Sequence, residues 1–499
     1  MLRAAAETPE RVMEPIHTQQ ISWIRNAERR VRERRRGVLA NISKLARLSS
    51  FTLVLAAMPA LAQESDDEVS ELREEVAELR ALVAELLRER EGGEVLVEPV
   101  ERLSPPPGEN GDQQSALSTT QSGPRQPVGR FPDDAFVTAG NFDRSFNVPG
   151  TDGAIRIGGA LQVNSSFDFD HQGFQQIGTP PTIPLDGSVD DGDEQFAIHA
   201  RHTRVNFDYR APTDLGEFRT FVEFDFFGDG DEFTNDYDLR LRHAAAELGP
   251  WKLGQFWSGF VDVFSFPETA DPGGPLSAPV LRNPGIYYVR GEQQGSNWGI
   301  GIENPAGDLG GNTDLIASES APNLVAFGKL QRDWGYLRLA GLGVQLESDS
   351  DEEFTGGVHL SGRVNTPFTG SELNNIAFAA QAGSGFVHYY SSYVGELDGV
   401  VSDDGSIEPT DIVGAYFGYQ HFWTDRWRST VTGSFFDLDL PEGADPLDHS
   451  YSERVSANLF YTPTDGVTVG LEGIYNTLET FDGSEGDGVR IEFVGRFDF

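Results

Sequence analysis

The sequence predicts an all-β fold, a sixteen-stranded antiparallel transmembrane β-barrel with a short N-terminal helical coiled coil ahead of it. Three observations predict it: period-two alternation of apolar and polar residues, connections that alternate between short and long, and a last strand ending on Phe499 in a chain that carries a secretory leader. Composition agrees, with 34 Phe and 56 Gly against 3 Met, a bias towards short strands and turns. No apolar run reaches the ~18 residues of a spanning helix. A net charge of −41 argues against nucleic acid as a partner, because phosphate binding needs concentrated Lys and Arg. With no cysteine there is no disulfide framework, thiolate metal site or cysteine nucleophile.

The leader is the apolar stretch Leu48 to Ala62, which follows Lys44 and Arg47 and closes on Ala60-x-Ala62. Residues 1–62 are therefore assigned to the signal peptide and an upstream extension, with translation starting nearer Val38. Residues 63–90 hold a heptad seam, Val69, Leu72, Val76, Leu79, Val83 and Leu86, separated almost entirely by charged residues. Such a seam forms a coiled coil, placed here in the periplasm; a lone amphipathic helix is the competing assignment, since three heptads are marginal on their own. Val at a and Leu at d lean towards two strands, whereas a barrel of this type points to three. Residues 91–150, with Pro105-Pro106-Pro107 and no sustained period, read as a linker, and the barrel occupies 151–499.

Alternation starts at Ala154, with Ile155, Ile157, Leu161, Val163 and Phe167 opposite Arg156, Gln162, Asn164, Ser166 and Asp168. It returns in the last strand, with Val489, Ile491, Phe493 and Phe497 opposite Arg490, Glu492, Arg496 and Asp498. A soluble sandwich would alternate in the same way. The rhythm of connections separates the two: short turns near 210–216, 248–250, 332–334, 366–372, 424–426 and 463–465 interleave with long loops that include 170–196, 261–285, 304–322, 384–411 and 438–452. An even strand count puts both barrel ends on the periplasmic side.

Parity points Arg204, Arg240, Arg242, Arg219, Arg338, Arg363 and Arg428 into the lumen, together with Arg156, Arg454, Arg490 and Arg496. Guanidinium groups attract carboxylates and pair with them in bidentate fashion. The plainer reading is that inward Glu217, Glu223, Asp225, Glu472 and Glu492 absorb them as cross-strand pairs. The loop at 261–285, with Glu268 and Asp271, is the third long one and a candidate constriction; an ordinary external loop is the alternative. Strand parity sets His199 and His202 on opposite faces, so no metal site is expected there, nor any cofactor. No G-x-S-x-G, H-E-x-x-H or phosphate-loop motif supports an enzyme. The acidic runs at 190–194, 349–353 and 403–404 read as solvated loops, or as sites where divalent cations bridge to lipopolysaccharide.

Ser145 to Gly159 (SFNVPGTDGAIRIGG), Arg201 to Gly228, Leu239 to Trp257 (LRLRHAAAELGPWKLGQFW) and Ala415 to Leu440 resemble the DcaP-like outer-membrane porins. The resemblance implies a homotrimer of sixteen-stranded channels in the bacterial outer membrane, in contact with lipid and lipopolysaccharide. It also implies passive uptake of small hydrophilic solutes, dicarboxylates among them. A phosphate-selective porin and a structural tether acting through the coiled coil remain the alternatives.

Overall fold

The computed structural model describes residues 138–499 apart from 171–176, 190, 229, 232–235, 293 and 391–396. The leader, the heptad seam from Val69 to Leu86 and most of the linker lie outside the described residues.

One sheet of eighteen strands dominates. Phe146–Asn147 only adds a short pairing at the start of β1 (Ala154–Asp168), so ordered structure begins inside the stretch assigned to the linker. Gln195–His199 and Arg204–Thr213 both pair with β1 and are two halves of one stave, β2. Sixteen crossings remain among the described residues. After β2 come β3 (Gly216–Asp225), β4 (Arg240–Leu248), β5 (Trp251–Trp257), β6 (Arg282–Gly291), β7 (Asn297–Glu303) and β8 (Asn323–Arg332). They continue as β9 (Gly335–Glu347), β10 (Glu352–Asn365), β11 (Asn375–Ser384) and β12 (Asp411–Phe422). The last four are β13 (Trp427–Asp439), β14 (His449–Thr464), β15 (Val467–Thr480) and β16 (Glu485–Asp498). β16 pairs antiparallel with β1, from Ala160↔Asp498 to Asp168↔Arg490, and this closes the barrel. Closure gives every wall strand a partner on both sides, which hydrocarbon demands.

Side-chain distribution is inverted relative to a protein with an apolar interior. Ile157, Leu161, Ile300, Leu339, Leu360, Leu471 and Phe493 stand exposed on the outside, while Asn164, Asp208, Glu223, Arg490 and Glu492 are buried within. Such a surface suits lipid. At the short-turn end the Trp427 and Tyr461 rings stack with centroids 4.4 Å apart and Trp423 is exposed, as an interfacial girdle requires. Leu339 is 57% exposed on β9 and its neighbour Ala340 1%. Leu339→Arg should therefore cost about 2–4 kcal/mol of folding free energy in lipid vesicles, the range for a charge on the lipid face near the midplane. A denaturant titration in lipid showing no loss would contradict the outward apolar band.

Two irregularities shape the interior. Gly254 has φ +118°, and a Cβ there would lie 2.0 Å from the carbonyl oxygen of Ala244, so only glycine allows β4 and β5 to meet where the chain bends inward. The second is a turn at 200–203 inside β2, closed by the Thr203 amide donating to Ala200 O at 3.0 Å. Before it Phe196 and Ile198 are exposed outside; beyond it Asn206 and Asp208 are buried inside. Even-numbered residues thus change sides, and His199 and His202 come together with ring centroids 5.6 Å apart. Strict alternation, which set them on opposite faces, fails here because the turn resets the register.

Candidate solute path

The long loop between β5 and β6 folds into the barrel. Its ends meet where the Ser258 amide donates to Leu281 O at 3.1 Å, and the wall then satisfies its backbone. Arg338 on β9 donates to the carbonyls of Gly259 and Phe260, and Arg363 on β10 to those of Phe264 and Phe266 at 3.0 and 2.8 Å. Asp262 accepts from Tyr336 Oη at 3.0 Å and Ser361 Oγ at 2.7 Å. Glu268 receives Arg428 Nε and Nη2 at 2.6 and 2.5 Å, a two-pronged charge-assisted pair. Asp271 sits 2.7 Å from Arg454 Nη2 and 3.7 Å from Arg490 Nη1, whose Nε donates to Asp168 at 2.6 Å. Burial raises the Asp271 pKa, and the Arg454 and Arg490 guanidiniums outweigh it, holding the carboxyl below its ordinary value.

Glu268 and Asp271 are buried against the wall, and Arg338, Arg363 and Arg428 grip the loop. Arg219 is engaged as well. It shares Asp208 with Arg210, at 2.9 and 2.8 Å, and Arg156 approaches the same carboxylate at 3.5 Å. Hydrogen bonds to peptide carbonyls could not be read from parity, which gives a side but not a partner.

A second segment enters that the sequence did not reveal as inward. In the connection from β11 to β12, Phe386, Val387, Tyr389 and Tyr390 are fully buried and pack with Phe260, Leu276, Ile412 and Phe436. Tyr389 Oη donates to Glu303 at 2.8 Å, and Tyr287 Oη donates to the same carboxylate. The two loops together line the β6–β13 side with apolar contacts. Further along the same connection Gly399–Val401 pairs with Ile407–Pro409 and, in parallel, with Leu309–Gly311 in a small separate sheet.

The β2–β6 wall carries a second group of arginines. Arg240 on β4 pairs with Asp225 at 2.7 Å with its side chain 40% exposed, and the bulged Arg242 holds Glu223 and Asp225, both at 2.7 Å. Arg204 on β2 lies within electrostatic reach of Arg242, Glu223 and Arg496, and its Nε has no hydrogen-bond partner. Arg282 opens β6, lies 4.7 Å over the Trp257 ring, and is within reach of Arg240, Arg242 and Arg204. Among the described residues neither Arg204 nor Arg282 has a carboxylate within salt-bridge distance. Four guanidiniums thus face two carboxylates. Arg282 escapes parity because it directly follows a long loop, outside any alternating run.

A model of the DcaP outer membrane protein family matches residues 138–499. The crystal structure of the outer membrane channel DcaP of Acinetobacter baumannii superposes with a TM-score of 0.62 at 19% identity, covering 72% of this chain and 100% of that one. An anion-selective porin from Comamonas acidovorans gives a TM-score of 0.45 at 11% identity, over 70% of this chain and 100% of the other. OmpF of Salmonella typhi, solved with daunomycin, gives 0.47 at 11% identity over 70% and 99%. No curated protein matches the chain. The family match spans the whole barrel and more than half of the sequence, so the chain belongs to the DcaP outer membrane protein family.

Proposed function

We propose that this protein is a passive outer-membrane porin favouring small organic anions, dicarboxylates among them, and working as a homotrimer. One observation carries the reading: Arg204, Arg240, Arg242 and Arg282 outnumber Glu223 and Asp225 on the β2–β6 wall. Unpaired guanidinium charge lowers the electrostatic cost of bringing an anion into a narrow, low-dielectric passage, and its planar donors match a carboxylate. Diffusion through such a path needs no catalyst or cofactor. The N-terminal heptads would then extend into the periplasm and support assembly.

Single-channel recording in a potassium chloride gradient, with succinate or phosphate added on one side, tests this. The expected result is a reversal potential on the anion side and a chloride current that succinate reduces more than phosphate. A cation-selective pore indifferent to succinate would overturn the reading, and stronger block by phosphate would favour a phosphate porin.

A further inference from the structure

The long connections after β7 and β11, far apart in the chain, are joined at the long-loop end of the barrel. Leu309–Gly311 pairs in parallel with Gly399–Val401, which pairs antiparallel with Ile407–Pro409. The short connection after β9 is tied in as well: Ser348 Oγ donates to Gly405 O at 2.6 Å, and the Ile407 amide to Asp351 Oδ2 at 3.1 Å. Leu309, Val401 and Ile407 are buried together on Leu346 of β9, a small apolar core of their own. Three connections thus form one cap.

Asp398 links that cap to the inward segment at 386–390. Its side chain is fully buried. Oδ1 accepts the His388 amide at 3.0 Å, while Oδ2 accepts the Asp308 amide at 2.7 Å and lies 2.7 Å from His388 Nδ1. The Asp398 amide donates in turn to Asp308 O at 2.7 Å, and the Thr410 amide to Asp398 O at 2.8 Å. A carboxylate removed from water has to be satisfied in this way, and hydrogen bonds to a carboxylate are about twice as strong as neutral ones. Val400 adds apolar contact, entering the cluster that holds Phe386, Tyr389 and Tyr390. Moving His388 therefore disturbs both chains that Asp398 holds.

We infer that the cap sets the position of the inward segment, with Asp398 as the joint between them. Phe386, Tyr389 and Tyr390 hold the segment to the wall, and the turn at His388 is held from the cap. Loosening the cap therefore loosens the segment, although the cap core of Leu309, Leu346, Val401 and Ile407 takes in no residue of 386–390. The effect on ion flow rests on the channel reading; the coupling between cap and segment does not.

Amide exchange of residues 386–390 in the detergent-solubilised full-length protein tests the joint. Val401→Asp places a charge in the cap core, and Asp398→Ala cuts the joint itself. In both variants exchange at 386–390 should quicken about tenfold or more, as loss of a charge-assisted hydrogen bond implies. The cap strands 309–311 and 399–401 should loosen in Val401→Asp and stay protected in Asp398→Ala. Ser265 and Gly274, whose amides bond within the other inward loop, should keep their protection in both. Unchanged exchange at 386–390 in Val401→Asp overturns the coupling, and so does an equal loss at Ser265 and Gly274, which marks general loosening. Ile407→Ala, a milder change in the same core, replaces Val401→Asp if that chain does not assemble, and a core variant decides alone if Asp398→Ala does not. In bilayers the same variants should pass larger, noisier currents. Faster exchange beside a wild-type current keeps the coupling and moves the constriction away from 386–390, while a protein that does not conduct at all sinks the channel reading alone.

Discussion

Replacing Arg204 and Arg282 together by glutamine should lower the anion-to-cation permeability ratio of the channel by about fivefold at 0.1 M salt, since two unit charges ~8 Å from a passing ion contribute ~0.5 kcal/mol each in water and screening roughly halves this. Neither side chain is engaged by a carboxylate among the described residues, so the double change orphans no acid, and thermal stability should move little. Arg240→Ala with Arg242→Ala makes the same change in charge by a different route. It strips Glu223 and Asp225, both 0% exposed, of their guanidinium partners. Leaving buried carboxylates unpaired costs about 3–5 kcal/mol, so this variant should shift selectivity similarly but melt far earlier. Comparing the two separates the field of the cluster from its structural pairing. Reversal potentials unchanged in the Arg204 and Arg282 variant would show that the β2–β6 wall does not lie along the ion path.

The barrel itself was legible because two of its determinants are local. Alternation such as Arg490, Glu492 against Ile491, Phe493 needs only the pleat, and the contrast between the short turn after Thr213 and the long connection after Trp257 needs only chain length. Parity also put Arg338, Arg363 and Arg428 on the inside. It could not say what they meet there, because those partners are distant along the chain, in a loop whose path depends on the closed wall; Arg338 to Phe260 spans 78 residues and Arg428 to Glu268 spans 160. The break at 200–203 defeats parity in another way. Nothing in Ala200-Arg201-His202-Thr203 signals a turn by composition, yet it exchanges the faces of every later residue in β2. Phe386, Tyr389 and Tyr390 were hidden for a third reason. Aromatics in a long connection look like external loop until a second loop offers Phe260 and Leu276 to cover them.

Excising residues 259–280 and joining Ser258 to Leu281 through a short glycine bridge should raise conductance severalfold and make the pore more anion-selective. The excision is geometrically mild at its ends, since Ser258 and Leu281 are already hydrogen-bonded at 3.1 Å. Its electrostatic effect is large. The segment carries Asp262, Glu268 and Asp271 and no basic residue, so three negative charges leave the lumen. Arg338, Arg363, Arg428 and Arg454 lose their loop acceptors at the same time, while Arg490 keeps Asp168. Those four guanidiniums on β9 to β14 would then join the cluster on β2 to β6 in facing the passage. Stability should fall, because Phe260 and Leu276 leave the apolar cluster and burying each such side chain contributes about 1.5–3 kcal/mol. The inward segment at 386–390 loses those contacts but keeps Tyr389 on Glu303, together with Ile412 and Phe436, so it should remain beside the wall. Bilayer recording therefore discriminates between the two inward loops. A severalfold gain assigns the restriction to the excised one, whereas unchanged conductance in a folded variant would move the constriction to residues 386–390, and Phe386→Ala would become the change that widens the pore.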